Sequence, residues 1–268
     1  MFIPLQDRNE LKHVRLQYVT LALILVNCLV YVGINLSGGA AATESLVIQL
    51  GYIPAVVNDV QELPVGLAII PEELSLISYA FLHADFLHLA SNMLFLWVFG
   101  DNVEDALGHF RFLVFYLLCA IAGGIAHGLV DPSSAIPLIG ASGAVAGIIG
   151  AYLMLHPRVR VWVLVLMRIP LPLPAWIPLL GWIGFQIFML VTGGDEMVSW
   201  AAHVGGFFAG ALLVFVLKRR AVPLFDRQMQ MPTAVVKSVP GVKRDGNISR
   251  PETDTRSPDK TKVWGRGK

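Results

Sequence analysis

The chain has 268 residues, of which 55% are hydrophobic and only 15% are charged, and its formal net charge is +1. Soluble globular domains usually carry about 25% charged residues, so this composition excludes an ordinary soluble domain. The near-neutral charge gives no reason to expect a nucleic-acid partner. The two cysteines, Cys28 and Cys119, lie in apolar runs and form neither a disulfide framework nor a zinc motif. The sequence therefore predicts a polytopic membrane protein.

The chain begins with a polar segment, residues 1–15, followed by a run without formal charge from Leu16 to Leu36. About 20 apolar residues cross the hydrocarbon core of a bilayer, so we interpret this run as the first membrane span. A long connection, residues 37–84, contains acids and prolines but no Lys or Arg, and it remains apolar. We expect it to lie against the membrane interface, because long loops are usually functional or disordered and its apolar content argues against disorder.

Five further spans are predicted, each in a stretch with few or no charges, and Pro170, Pro172 and Pro174 prevent the fifth from starting earlier. They are expected at about residues 86–100, 112–130, 142–155, 176–194 and 198–217. The predicted fold class is an all-α polytopic membrane protein. It consists of a six-transmembrane-helix bundle over residues 16–217 with a long membrane-associated first loop.

The basic residues indicate how the bundle is oriented. Every Lys and Arg lies in the N-terminus, the 101–111 turn, the 156–168 loop or the C-terminal tail. By the positive-inside rule, both termini are expected in the cytoplasm, which requires an even number of spans. Short connections and the lack of a targeting segment favour a bacterial cytoplasmic membrane.

Residues 218–268 are polar, basic and rich in Pro, Ser, Thr and Gly, and they are predicted to form a disordered cytoplasmic tail. Membrane lipids with anionic headgroups are one partner for its positive charge. The alternative is a solvated tail without a partner.

Four polar residues are predicted to lie at the same depth in the outer third of the bundle. Ser142 begins the fourth span and His203 lies near the outer end of the sixth. His88 lies near the outer end of the second span, with Asn92 one turn deeper on the same face. Polar residues inside a membrane are costly and by default indicate a functional site facing the bundle interior.

Small residues flank this polar set. Gly143 and Gly147 have the G-x-x-x-G spacing that allows transmembrane helices to pack closely, and taken alone this indicates only a packing face. Gly206 and Gly210 have the same spacing on the sixth span. If the two glycine faces meet, the fourth and sixth spans approach closely.

This approach would place His203 beside Ser142. A serine hydroxyl becomes a nucleophile when a base removes its proton, and a histidine is suited to that task. Attack on an amide creates an oxyanion, for which His88, Asn92 and the Ser142 backbone N–H are candidate donors. No acid lies near enough to complete a triad, so we predict a Ser–His dyad that needs no cofactor.

Three motifs carry a resemblance to a known family, the rhomboid intramembrane serine proteases. They are Gly140-x-Ser142-Gly143, His83-x4-His88-x3-Asn92 and His203-x2-Gly206-x3-Gly210. The resemblance extends from about residue 16 to 217. It implies Ser142 as nucleophile, His203 as general base, His88 and Asn92 as oxyanion side chains, and His83 as a structural loop residue.

The resemblance also implies that the substrates are membrane-anchored proteins and that the fifth span is a lateral gate. The chain departs from the family at two places. The family carries a Trp-Arg pair shortly before its first histidine, where this chain has Ser75-Leu76-Ile77-Ser78-Tyr79. The family often has an aromatic residue four positions after the serine, which packs on the catalytic histidine, and this chain has Ala146 at that position.

Two other functions remain as alternatives. In one, His83, His88 and His203 bind a metal ion and the protein is a metalloprotease or a metal transporter, although neither H-E-x-x-H nor an intramembrane carboxylate is present to assist. In the other, the chain is a catalytically inactive rhomboid-like protein that binds client proteins without cutting them. Retention of both Ser142 and His203 argues against this second alternative.

Overall fold

A computed structural model describes residues 2–36, 38–64, 66–165, 168–194 and 198–225. Helices form most of this part of the chain, and short 3-10 turns at Glu72–Leu74 and Tyr79–Phe81 flank one of them. The chain divides into one unit, residues 1–229, and a second, residues 230–268. The tail that was predicted to be disordered, residues 218–268, lies outside the described residues from position 226 onward. The helices are α1 (Tyr18–Leu36), α2 (Ala40–Leu50), α3 (Pro54–Val57), α4 (Ser75–Ser78), α5 (Phe86–Leu107), α6 (His109–Val130), α7 (Ser142–Leu155), α8 (Trp176–Thr192) and α9 (Trp200–Leu217), and the strands are β1 (Phe2–Asp7), β2 (Arg160–Val165) and β3 (Ile169–Pro174).

Six of these helices, α1 and α5 to α9, coincide with the six predicted spans. Helix α5 runs to Leu107 rather than ending near Gly100, and α6 begins at His109 rather than Phe112. By length and composition, α1, α6 and α9 are able to cross a membrane among the described helices. A fourth span results if α5 and the preceding segment Glu72–Phe81 are counted together as one broken span, with an angle of 84° between them. Helices α7 and α8 are apolar but shorter, so the number of six spans stays a prediction.

Helix α7 lies at the centre of the bundle, with 11 of its 14 residues buried. Its glycines meet those of α9. A Cβ added to Gly206 would lie 2.0 Å from the carbonyl oxygen of Gly143, and one added to Gly210 would lie 2.0 Å from that of Gly147. The predicted meeting of the two glycine faces is confirmed, and the two backbones are in direct contact because neither face carries side chains.

A small antiparallel sheet in the order β1-β2-β3 accompanies the helices and was not predicted. In β2, Val161 and Val163 alternate with more exposed residues and are fully buried. Strand β3 is an edge strand that carries Pro170, Pro172 and Pro174. Proline has no backbone N–H, and residues two positions apart in a strand direct their backbone N–H groups to the same side. The three prolines therefore remove hydrogen-bond donors from one side of β3, which an edge strand tolerates when no neighbouring strand lies on that side.

The basic segments of the chain meet at one end of the bundle. The Asp105 carboxylate, near the C-terminal end of α5, accepts hydrogen bonds from the backbone N–H groups of Lys12, His13 and Val14, at 3.1, 2.6 and 2.7 Å. Strand β1 pairs with β2, which places the N-terminal segment beside the 156–168 loop. These segments therefore lie at the same end of the bundle, and the side of the membrane on which they lie stays a prediction.

The start of the tail also packs on this end. The Arg219 N–H donates to the carbonyl oxygen of Ala106 (2.9 Å), and the Phe225 N–H donates to that of Met154 (2.8 Å). Val222 is buried. The packed unit therefore continues past Leu217, where the sequence analysis placed the end of the domain.

Candidate active site

Ser142 is the first residue of α7 and lies at the end of the bundle opposite the basic segments. Gly140, two residues earlier, has a φ of +121°, a conformation that residues with a side chain rarely adopt. A Cβ on Gly140 would lie 2.6 Å from Nε2 of His88 and 3.7 Å from Oγ of Ser142. The absence of a side chain at this position therefore lets the serine hydroxyl and the His88 imidazole border one small space.

The loop before Ser142 is held by Tyr79, which the sequence analysis did not identify as important. The Tyr79 carbonyl oxygen accepts the Gly140 N–H (2.9 Å), and its buried hydroxyl donates to the carbonyl oxygen of Ala120 in α6 (2.6 Å). Next to it, the Ser78 hydroxyl donates to the carbonyl oxygen of Leu50 (2.6 Å). These bonds anchor the segment that occupies the position of the family's Trp-Arg pair.

His88 and Asn92 lie one turn apart on the same face of α5, as predicted. Asp85 caps this helix by accepting the His88 N–H (2.9 Å). The Asn92 amide nitrogen donates to the His88 carbonyl oxygen (3.0 Å), which uses one of its two N–H groups. Asn92 is buried, and the buried ring of His83 packs edge-on against that of His88 with centroids 5.1 Å apart.

His203 lies in the first turn of α9, which is capped by Ser199. Its Nδ1 atom is 2.8 Å from Oε1 of Gln186 on α8. Its ring lies 5.8 Å from that of Trp182 and 6.3 Å from that of Trp200. The aromatic neighbours of the His203 ring are therefore these two tryptophans, on α8 and α9.

Sequence reasoning did not find the contacts of Gln186 and Trp182 with the histidine. The available signal was an amide in the middle of an otherwise apolar helix, with an aromatic residue four positions before it. Such a pair occupies one helix face. Which neighbouring helix it faces depends on how α8 packs against α9, and the sequence does not specify this.

The Gly143–Gly206 backbone contact brings α7 and α9 together near their N-terminal ends, where Ser142 and His203 lie. Both residues, like His88, are partly exposed. The structure records no hydrogen bond between the Ser142 hydroxyl and the His203 ring, both of which belong to the described part of the chain. Catalytic hydrogen bonds are often long in free enzymes and shorten when substrate binds.

Among the residues that the structure describes, no group of three or more His, Cys, Asp or Glu side chains is placed to hold a metal ion. His83, His88 and His203 do not form such a group. The residues predicted for the site supply the Ser142 hydroxyl, the His88 and His203 imidazoles and the Asn92 amide at this end of the bundle.

These features define the class of the protein as a helical, membrane-embedded protein with a polar cluster at one end of an apolar bundle. The family model described as the Rhomboid domain matches residues 71–220. The chain belongs to the rhomboid family.

Individual relatives agree with this assignment. The chain is similar to the mitochondrial Rhomboid protein 1 of Saccharomyces cerevisiae, with 31% identity over 166 residues, 60% of this chain and 46% of the relative. It is similar to RHOMBOID-like protein 5 of Arabidopsis thaliana, with 33% identity over 149 residues, 56% of this chain and 45% of the relative. Rhomboid protease GluP of Bacillus subtilis is 46% identical over 72 residues, 27% of this chain and 14% of the relative.

The matched part of the chain spans less than half the length of each of these relatives. They include a mitochondrial protein as well as a bacterial one, so they do not support the expected bacterial cytoplasmic membrane over another membrane. A location in a membrane follows from the apolar helices themselves.

Proposed function

We propose that this protein is an intramembrane serine endopeptidase that cleaves membrane-anchored proteins within or near their transmembrane segments. The observation that carries the proposal is the small space beside Gly140, which the Ser142 hydroxyl and the His88 imidazole border. The contact between Gly143 and Gly206 adds His203 to the same end of the bundle. Membership of a family that includes a named protease supports the same activity.

In the proposed reaction, Nε2 of His203 takes the proton from Ser142 as the hydroxyl oxygen attacks the carbonyl carbon of the scissile peptide bond. The tetrahedral intermediate collapses to an acyl-enzyme, and the imidazolium gives its proton to the leaving amine. Water, activated by the same imidazole, then hydrolyses the ester. No cofactor takes part in these steps.

The oxyanion requires donors that are already in place when negative charge develops. The Ser142 N–H belongs to the first turn of α7, where backbone N–H groups have no partner within the helix. Nε2 of His88 borders the same space, and the second N–H of the Asn92 amide is the third proposed donor. The N-terminal end of α7 also carries partial positive charge, which favours an anion there.

The site lies at the end of the bundle opposite the basic segments, so the positive-inside rule puts it on the outer side of the membrane. We propose both termini on the inner side, and a bacterial cytoplasmic membrane as one location to test by cell fractionation. The partners are transmembrane protein substrates and the surrounding membrane lipids.

The test is cleavage of a single-span model substrate by purified protein in liposomes, with the products mapped by mass spectrometry. Ser142→Ala and His203→Ala are expected to abolish cleavage while the bundle stays folded. His88→Ala and Asn92→Ala are expected to reduce kcat by up to about 10²–10³-fold, the effect of losing one oxyanion donor. Ser133→Ala, at an exposed serine of the loop before α7, is the matched control and should cleave normally.

The alternative, a rhomboid-like protein that binds clients without cutting them, predicts a different result. The wild-type protein would then retain the model substrate intact, and Ser142→Ala would bind it equally well. Cleavage that persists in Ser142→Ala would contradict the proposed mechanism.

A further inference from the structure

Gln186 is a buried amide in a helix that is otherwise apolar around it. It is 4% exposed, and it is the only polar residue among the four that α8 buries. Its Oε1 atom lies 2.8 Å from Nδ1 of His203 on the neighbouring helix. A buried polar side chain without a partner is costly, so this contact accounts for the amide's place in the bundle.

The chemistry of the amide oxygen determines which form of the imidazole it favours. An amide oxygen accepts hydrogen bonds and does not donate them. Facing Oε1 of Gln186, Nδ1 of His203 therefore carries the proton, and the lone pair is on Nε2. Nε2 is the atom that acts as the base in the proposed Ser142–His203 dyad.

A second residue on the same face of α8 contacts the same ring. Trp182 lies one turn before Gln186, and its ring is 5.8 Å from that of His203 with an interplanar angle of 34°. The hydrogen bond to Gln186 limits rotation of the imidazole ring about the bond that joins it to the His203 side chain. The indole ring of Trp182 limits tilting of the imidazole plane. Helix α8 therefore restrains the histidine of α9 through two adjacent side chains.

We propose that Gln186 is a positioning residue that holds His203 in the Nδ1-protonated tautomer and aims Nε2 at Ser142. The proposal rests on the proposed function, because it assigns Gln186 a part in the activation of Ser142. Gln186 takes the orienting place that an acid has in a Ser–His–Asp triad, without contributing a negative charge to stabilise the imidazolium.

Two substitutions separate the hydrogen bond from packing. Gln186→Met keeps the length and approximate volume of the side chain but removes the oxygen acceptor. Gln186→Glu keeps the acceptor and adds a negative charge, which favours protonated His203. Ile183→Ala, at a buried position one turn away on α8, perturbs packing without touching the hydrogen bond and is the matched control.

The assay is the rate at which a fluorescent fluorophosphonate modifies Ser142 between pH 5 and 9, together with kcat and KM for the model substrate. Gln186→Met is expected to slow modification at least about tenfold and to lower kcat with little change in KM, because a misoriented base loses part of its contribution. Gln186→Glu is expected to react within about threefold of wild type at pH 8, with the acidic limb of its profile moved to higher pH. Ile183→Ala is expected to keep the wild-type pH profile.

Wild-type rates in Gln186→Met across this pH range would overturn the inference while leaving the dyad intact. Equal slowing of the Met and Glu variants with unchanged pH profiles would also overturn it, because it would indicate a packing role only. A wild-type protein that does not react at Ser142 would contradict the proposed function itself, and the role of Gln186 would fall with it.

Discussion

Substitution of Gly206 by alanine probes the packing on which the site depends. The added Cβ would lie 2.0 Å from the Gly143 carbonyl oxygen, whereas ordinary contacts begin at about 3.4 Å. Helices α7 and α9 must therefore separate locally by more than about 1 Å, since neither backbone is able to yield as a flexible side chain does. Overpacking of this kind destabilises a protein by about 1–3 kcal/mol.

The same displacement moves His203 relative to Ser142, because each lies within one turn of the contact. A misplacement of about 1 Å at a reacting centre costs on the order of 10² in rate. We therefore expect Gly206→Ala to lower kcat/KM for the model substrate about 100-fold and to lower the midpoint of thermal unfolding in detergent.

Gly184→Ala is the matched control, because a Cβ at this exposed position of α8 meets nothing within 4 Å. It should leave both kcat/KM and the unfolding midpoint close to wild type. If Gly206→Ala kept kcat/KM within about threefold of wild type, the inference that the α7–α9 contact sets the distance between serine and histidine would be refuted.

Two further predictions concern Gly140 and Asp7. Gly140→Ala is expected to slow fluorophosphonate modification of Ser142 by at least about tenfold, because its Cβ would collide with the His88 ring and its φ is positive; an unchanged rate would contradict this. Burial raises the pKa of Asp7 from 3.8 to about 7 despite a hydrogen bond from Tyr152, and the nearby Asp101 carboxylate adds to the rise. The native state thus holds a proton that the unfolded chain loses near pH 4, so this group's contribution to stability is full below pH 3.8 and is lost as the pH rises to about 7. Relative to wild type, Asp7→Asn is expected to gain stability between pH 4 and 8 by up to about 4 kcal/mol, measured by equilibrium unfolding in detergent at several pH values; parallel pH profiles would contradict the assignment.

The sequence was sufficient to locate the six long helices, α1 and α5 to α9, because long charge-free runs have few alternatives in a chain that must satisfy its backbone within a membrane. It did not predict α2, α3 and α4, which lie in the connection that was expected to be a long loop. It also predicted the meeting of the α7 and α9 glycines, since their spacing of four residues places each pair on one helix face. The extension of α5 to Leu107 was missed because it carries Glu104 and Asp105. In the folded chain the Asp105 carboxylate accepts the His13 N–H of the N-terminal segment, and the Glu104 carboxylate accepts the Thr20 N–H in the first turn of α1.

The pairing of β1 with β2 escaped prediction because it joins residues more than 150 positions apart in the chain, whereas β2 and β3 pair as neighbours in sequence. The prolines of β3 exclude a helix but do not by themselves indicate an edge strand. The partners of His203 escaped for a related reason. Gln186 and Trp182 reach the histidine only through the packing of α8 against α9, whereas the family resemblance points to position 146, four residues after the serine.

The measurement that tests the central claim most directly is fluorophosphonate labelling of the purified protein, because it requires no knowledge of the substrate. Wild type, Ser142→Ala and His203→Ala would be compared under identical conditions after each is shown to be folded. We predict labelling of the wild type at Ser142 and no labelling of either variant, because the serine is reactive only when His203 takes its proton. A folded wild type that stays unlabelled, or a Ser142→Ala variant that is labelled as strongly as wild type, would contradict the assignment of Ser142 and His203 as a catalytic dyad.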